Sequence, residues 1–141
     1  MDTKTAIIIY HSKRGTTQKF AAEIAFYLKK KGIESKVTSV QKFNSKDVAG
    51  VDYIFLGCWT SGLFFILQHP EKEWVQFAKS LPPTITAKTA LFTTYKIRTG
   101  SMFRNMQKQL VGKTPQHECV LESRDGELSD YTKNLIDIFI E

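Results

Sequence analysis

The 141-residue sequence predicts an α/β fold with a parallel sheet covered by helices on both faces, a three-layer α/β/α sandwich. Two observations carry this. Apolar runs of strand length alternate along the whole chain with segments of helical spacing, and the strongest runs are apolar on both faces, as strands inside a parallel sheet are. The chain is read as one domain over residues 1–141, with no internal repeat, linker or low-complexity segment.

Taken in order, Ala6-Ile7-Ile8-Ile9-Tyr10 is the first strand, and His11 to Thr17 is a strand-to-helix turn. The helix that follows places Phe20, Ile24 and Tyr27/Leu28 on one stripe, with Ala21 and Ala25 beside them. Lys29-Lys30-Lys31 suits the negative end of its dipole, and Gly32 stops it. Ile33 to Val40 alternates loosely, as an edge strand does, and Asn44 or Ser45 caps a short helix in the polar stretch 41–50. Val51 to Gly57 is the next strongly apolar strand, followed by a loop, Gly57 to Gly62, and an uninterrupted apolar run, Leu63–Leu67. Pro70 starts a helix over Glu71–Leu81 with Trp74, Phe77, Ala78 and Leu81 inward, and Pro82-Pro83 ends it. Thr89–Thr94 is the fourth strand and Tyr95–Gly100 a loop. Ser101 opens a helix carrying Met102, Phe103, Met106 and Leu110, Glu118–Leu121 is the fifth strand, and Leu128–Ile140 a last helix with Tyr131, Leu135, Ile138 and Phe139 as its apolar face. Five strands thus alternate with five helices, the second of them short.

Composition bounds the function classes. The chain is 42% hydrophobic and 24% charged, the balance of an ordinary globular protein. Its N-terminal apolar run is too short for a signal-peptide core or a membrane span, so the expected location is the cytoplasm. Cys58 and Cys119 lie far apart without CxxC or Cys/His spacing, which indicates neither a disulfide framework nor a zinc site. The net charge of +6 is compatible with an anionic ligand or an acidic partner, but the basic residues are scattered rather than gathered into a nucleic-acid-binding run.

The most informative stretch is the first turn. A strand-to-helix turn aims free backbone N–H groups and the positive end of the helix dipole at whatever lies above the strand. Ser12, Thr16 and Thr17 add hydroxyls, Gly15 permits a tight path, and Lys13 and Arg14 add charge, a combination suited to phosphate. The alternative at this point is that Thr16 or Thr17 merely caps the helix and the turn holds nothing. In such folds ligands sit beyond the carboxyl ends of the strands, where three loops converge: His11–Thr17, Gly57–Gly62 and Thr93–Gly100.

Several families share this layout. A receiver domain needs carboxylates where this chain has His11-Ser12 and Gly57-Cys58. The GK[ST] signature of a P-loop, the cysteine and arginine of a low-molecular-weight phosphatase loop and the dinucleotide GxGxxG are all absent. Over essentially its whole length the chain resembles the flavodoxin family, whose phosphate loop, Ser/Thr-x-Thr-Gly-x-Thr, is matched by Ser12-Lys13-Arg14-Gly15-Thr16-Thr17 with Arg14 in place of a hydroxyl residue. Cys58-Trp59-Thr60-Ser61-Gly62 resembles the family's flavin-flanking loop, with the aromatic before rather than after the threonine. Ala90–Thr94 with Tyr95 resembles the strand and loop on the ring's other side.

The resemblance implies a five-stranded sheet of order 2-1-3-4-5 and an FMN cofactor. Phosphate falls at Ser12–Thr17 and the isoalloxazine between Cys58–Gly62 and the loop bearing Thr94, Tyr95, Lys96 and Arg98. It also implies electron transfer to a redox partner protein or a small acceptor. Carrier flavodoxins are typically acidic around the flavin, whereas Tyr95–Gly100 has no carboxylate and two basic residues. That contrast leaves open an FMN-dependent reductase of a quinone-like or other small acceptor, and a flavodoxin-fold module that has lost FMN is a third reading. Leu63–Leu67 is expected either to pack under the third helix or to dock a partner or a second copy in a homodimer. Cys58 is expected to pack as a small residue, and His11 to contact phosphate or cap the loop.

Overall fold

Why the chain folds as it does is clearest in its middle strands. The computed structural model describes residues 3–60, 72–83, 85–96, 99–115 and 119–141. Strands β1 (Thr5–His11), β2 (Glu34–Ser39), β3 (Tyr53–Trp59), β4 (Lys88–Thr94) and β5 (Cys119–Ser123) form one parallel sheet in the order β2-β1-β3-β4-β5, as the family resemblance implied. The three inner strands are buried on both faces, and β2, at an edge, is mostly exposed.

Helices α1 (Thr16–Lys30) and α4 (Asp130–Ile140) cover one face. There Phe20, Ala21, Ile24 and Leu28 meet Ala6, Ile8, Phe55, Phe92 and Ile136. Helices α2 (Lys72–Ser80) and α3 (Met102–Lys108) cover the other, with Trp74, Phe77, Met102 and Met106 against Ile7, Ile9, Leu56 and Leu91. The predicted short second helix is a single 3-10 turn, Ser45–Val48, which Asn44 caps through a reciprocal bond with Asp47.

Three expectations are corrected. Cys58 and Trp59 belong to β3 rather than to a loop, because β3 stays paired with β4 as far as Trp59↔Thr94. Helix α1 is capped by neither Thr16 nor Thr17, since its N-cap is Gly15. On α4, Tyr131 and Ile138 are exposed, and Thr132 and Ile136 are the buried positions. Its second half, Leu135-Ile136-Asp137-Ile138-Phe139-Ile140, is apolar at every position but one, so periodicity alone could not select its inner face. Leu63–Leu67, with Ser61, Gly62, His69, Pro70, Glu71, Arg98, His117 and Glu118, lies outside the described residues.

Candidate functional site

Strand order reverses between β1 and β3: β1 leads through α1 to β2 on one side, and β3 then lies on the other. At their carboxyl ends His11 pairs with Cys58, so the turn after β1 stands beside Trp59 and Thr60.

The turn is built to present backbone donors. Gly15 adopts a left-handed conformation, φ 93°, which a side chain there would strain. Ser12 Oγ accepts the Gly15 N–H at 3.0 Å and tightens the loop. No side chain caps α1 and no acidic residue stands in its first turn, while Lys29 and Lys30 occupy its last. The negative end of the dipole is therefore compensated and the positive end is not. Thr17 is fully buried, with its Oγ1 2.6 Å from Thr94 Oγ1, so its hydroxyl ties α1 to β4. Thr16 is half-buried, and Lys13 and Arg14 are exposed.

Across the crevice, the Thr60 N–H donates to the Thr94 carbonyl at 2.8 Å and Thr60 Oγ1 lies 2.8 Å from Thr93 Oγ1. Trp59 is half-buried, and the Lys13 ammonium lies 4.9 Å from its ring centroid. Among the described residues the buried Trp59 indole N–H has no hydrogen-bond partner. The same is true of Trp74, but that ring lies in the core under α2. Cys58 is fully buried in that same core and in no disulfide, consistent with a packing role. Burial pushes the other thiol, Cys119, up to about 11.

His11 turns toward the α2 side. Its Nδ1 lies 3.2 Å from Gln41 Nε2, which also donates to Glu73 Oε2 at 2.8 Å, and its Nε2 lies 3.8 Å from that carboxylate. Tyr95 is half-buried, its N–H bonded to the Ser123 carbonyl and its ring faced by the Arg124 guanidinium at 5.5 Å. Lys96 is exposed.

The loop after β5 is the part of the site that sequence reading missed. Gly126, φ 87°, lies so close to the Thr16 carbonyl that a Cβ would fall 2.8 Å from it, and Glu127 reaches Lys19 at 3.4 Å. Glu122, on β5, accepts the Thr99 hydroxyl at 3.1 Å beside the basic Tyr95–Gly100 loop, whereas Glu127 lines a groove between α1 and α4 with Glu23, Tyr27 and Lys133. The Glu127 N–H and the Ser123 hydroxyl hold the Asp125 carboxyl below its ordinary value. The isolated Gly126 between acidic neighbours was the available signal.

These features define a class: an open, doubly wound parallel α/β protein whose switch-point crevice joins an uncompensated helix N-terminus to an aromatic-flanked slot. The "Flavodoxin domain" family matches residues 7–123, and the chain belongs to that family.

Among solved structures it is similar to two-electron reduced flavodoxin from Megasphaera elsdenii (TM-score 0.71, 23% identity, covering 95% of this chain and 97% of that one). It is also similar to a short-chain flavodoxin associated with a non-canonical PDU bacterial microcompartment (0.74, 13%, 96% and 93%). Flavodoxin 2 from Bacillus cereus is a third (0.70, 16%, 96% and 95%). No curated protein sequence matches it. Flavodoxin domains bind FMN and pass electrons to redox partners, and this chain is an FMN-binding electron-transfer protein of that family. Among the described residues no helix is long and apolar enough to cross a membrane.

Proposed function

We propose that FMN is held across the crevice by the residues gathered there. Its phosphate meets the backbone N–H groups at the start of α1, with Ser12, Gly15 and Thr16 shaping the turn, Thr17 anchoring it to β4 and Arg14 adding charge at its lip. The isoalloxazine lies between Cys58–Gly62 and the loop carrying Thr94, Tyr95, Lys96 and Arg98. The observation that carries this reading is the bare N-terminus of α1, uncapped and without an acidic residue, beside β3 at the switch point.

The donor set fits the cofactor. Backbone N–H groups suit a phosphate, and the half-buried Trp59 and Tyr95 rings suit a flat heterocycle. Bound flavin supplies the electron chemistry, while the chain binds and orients it and sets the field around it. We place the exchange with a redox partner protein in the cytoplasm.

Thr16→Glu tests the phosphate placement. A carboxylate in the first turn favours the helix dipole but repels phosphate, so FMN affinity is expected to fall more than about ten-fold while the ligand-free protein melts no earlier. Visible absorbance after removal of free FMN reads the first quantity and circular dichroism the second. Undiminished FMN retention by this variant would place the phosphate elsewhere.

A further inference from the structure

The phosphate loop contains a basic residue that the geometry sends somewhere other than the phosphate. Lys13 leaves the tip of the turn between β1 and α1, and its ammonium lies over the ring of Trp59, 4.9 Å from the centroid, at the end of the neighbouring strand. Among the described residues no carboxylate pairs with it, so its charge is not neutralised there. A cation on an exposed aromatic face is favoured by about two- to five-fold, enough to bias an exposed lysine toward the ring. Trp59 itself is half-buried, and its N–H is sequestered from water, so the platform under the ammonium is set by packing. The turn thereby carries one full positive charge away from the α1 N-terminus and onto the flank of the crevice where the aromatic stands.

We propose that Lys13 selects between the oxidation states of bound FMN rather than serving as a phosphate ligand. The inference rests on the placement of the isoalloxazine beside Trp59 given above. Uptake of two electrons and one proton from a low-potential donor leaves the flavin ring one negative charge above its oxidised form. A lysine at the ring end of the site favours the more negative state. A lysine on the phosphate would favour both states alike, since the phosphate charge does not change. At a separation of about 8–10 Å and an effective dielectric constant of roughly 20–40, one charge changes the relative affinity by about four- to thirty-fold, on the order of ten-fold. Lys13 thus raises the potential of the bound flavin by favouring its more negative state.

The experiment measures dissociation constants of oxidised FMN and of dithionite-reduced FMN for the wild type, Lys13→Gln and Lys13→Arg under anaerobic conditions. Lys13→Gln is expected to lower the ratio of reduced to oxidised affinity about ten-fold while changing oxidised affinity less than about three-fold, and Lys13→Arg to restore the ratio. Ligand-free tryptophan fluorescence adds an independent readout, expected to change in Lys13→Gln and not when Trp59 is already Phe. Equal weakening of both oxidation states would make Lys13 a phosphate ligand and overturn the proposal, as would an unchanged ratio. Wild-type protein that retains no FMN would overturn the placement of the cofactor and this inference with it. Retention that is lost in Thr16→Glu, combined with an unchanged ratio in Lys13→Gln, would sink this inference alone.

Discussion

Gly57 of β3 is paired with Phe92 of β4, and replacing it with alanine tests how tightly the sheet fixes the site. Its Cβ would fall against the edge of the Phe92 ring, far within the 3.0 Å that real Cβ contacts essentially never breach. Phe92 cannot easily yield, since it is fully buried and meets Phe20 edge to face at 5.7 Å between centroids. Overpacking of this kind costs about 3 kcal/mol, offset by roughly 0.5–1 kcal/mol because alanine loses less backbone freedom than glycine on folding. The net loss expected is about 2 kcal/mol, or a fall in melting temperature of roughly 6 °C at about 3 °C per kcal/mol.

Equilibrium urea unfolding followed by circular dichroism measures it. The decisive variant is the double substitution Gly57→Ala/Phe92→Leu, in which the shortened side chain vacates the space. It should be more stable than the sum of the single effects by at least about 1 kcal/mol, whereas additivity within about 0.5 kcal/mol would refute the steric argument. Forcing β3 away from β4 also strains the Thr60–Thr94 and Thr60–Thr93 hydrogen bonds, so Gly57→Ala is expected to weaken FMN binding as well.

Two further perturbations probe single contacts. Thr17→Val leaves the Thr94 hydroxyl without its 2.6 Å partner and is expected to cost about 1–2 kcal/mol. Adding Thr94→Val should cost less than a second such loss, and a neutral single variant would show that the pair contributes nothing. Asp137 accepts the Tyr27 hydroxyl at 2.6 Å and pairs with Lys31 at 3.4 Å, which together hold its carboxyl below the ordinary value of 3.8. A carboxylate depressed in the folded state stabilises above its unfolded pKa, and that contribution disappears as pH falls through the folded value. Asp137→Asn should therefore unfold at lower urea than the wild type near about pH 6 and match it near about pH 2; a gap of equal size at both would exclude the linkage.

The inner strands and the first turn were legible because their constraints are local and covalent. A strand buried on both faces must be apolar throughout, as Ile7–Ile9 and Ile54–Leu56 are, and a glycine between hydroxyl and basic residues before a helical stripe marks a turn able to hold an anion. The same local reading placed Phe20, Ile24 and Leu28 on the inner side of α1, where they are fully buried.

Contacts between residues distant in sequence were decided elsewhere. Thr17 reads as a phosphate-loop hydroxyl, yet its partner is Thr94, 77 residues on, and only sheet order brings the two together. Periodicity assigned Tyr131 and Ile138 to the core, yet it is Ile136 that α4 turns inward, into the cluster formed by α1 and the sheet, while neighbouring Asp137 meets Tyr27 of α1. The sequence by itself determined the strands, the alternation and the anion-ready turn, since each follows from what a short segment must bury or expose. Only the tertiary structure decided that Lys13 lies on Trp59, that Gly126 closes on Thr16 and that Glu122 meets Thr99, because those neighbours are created by the order in which parallel strands assemble.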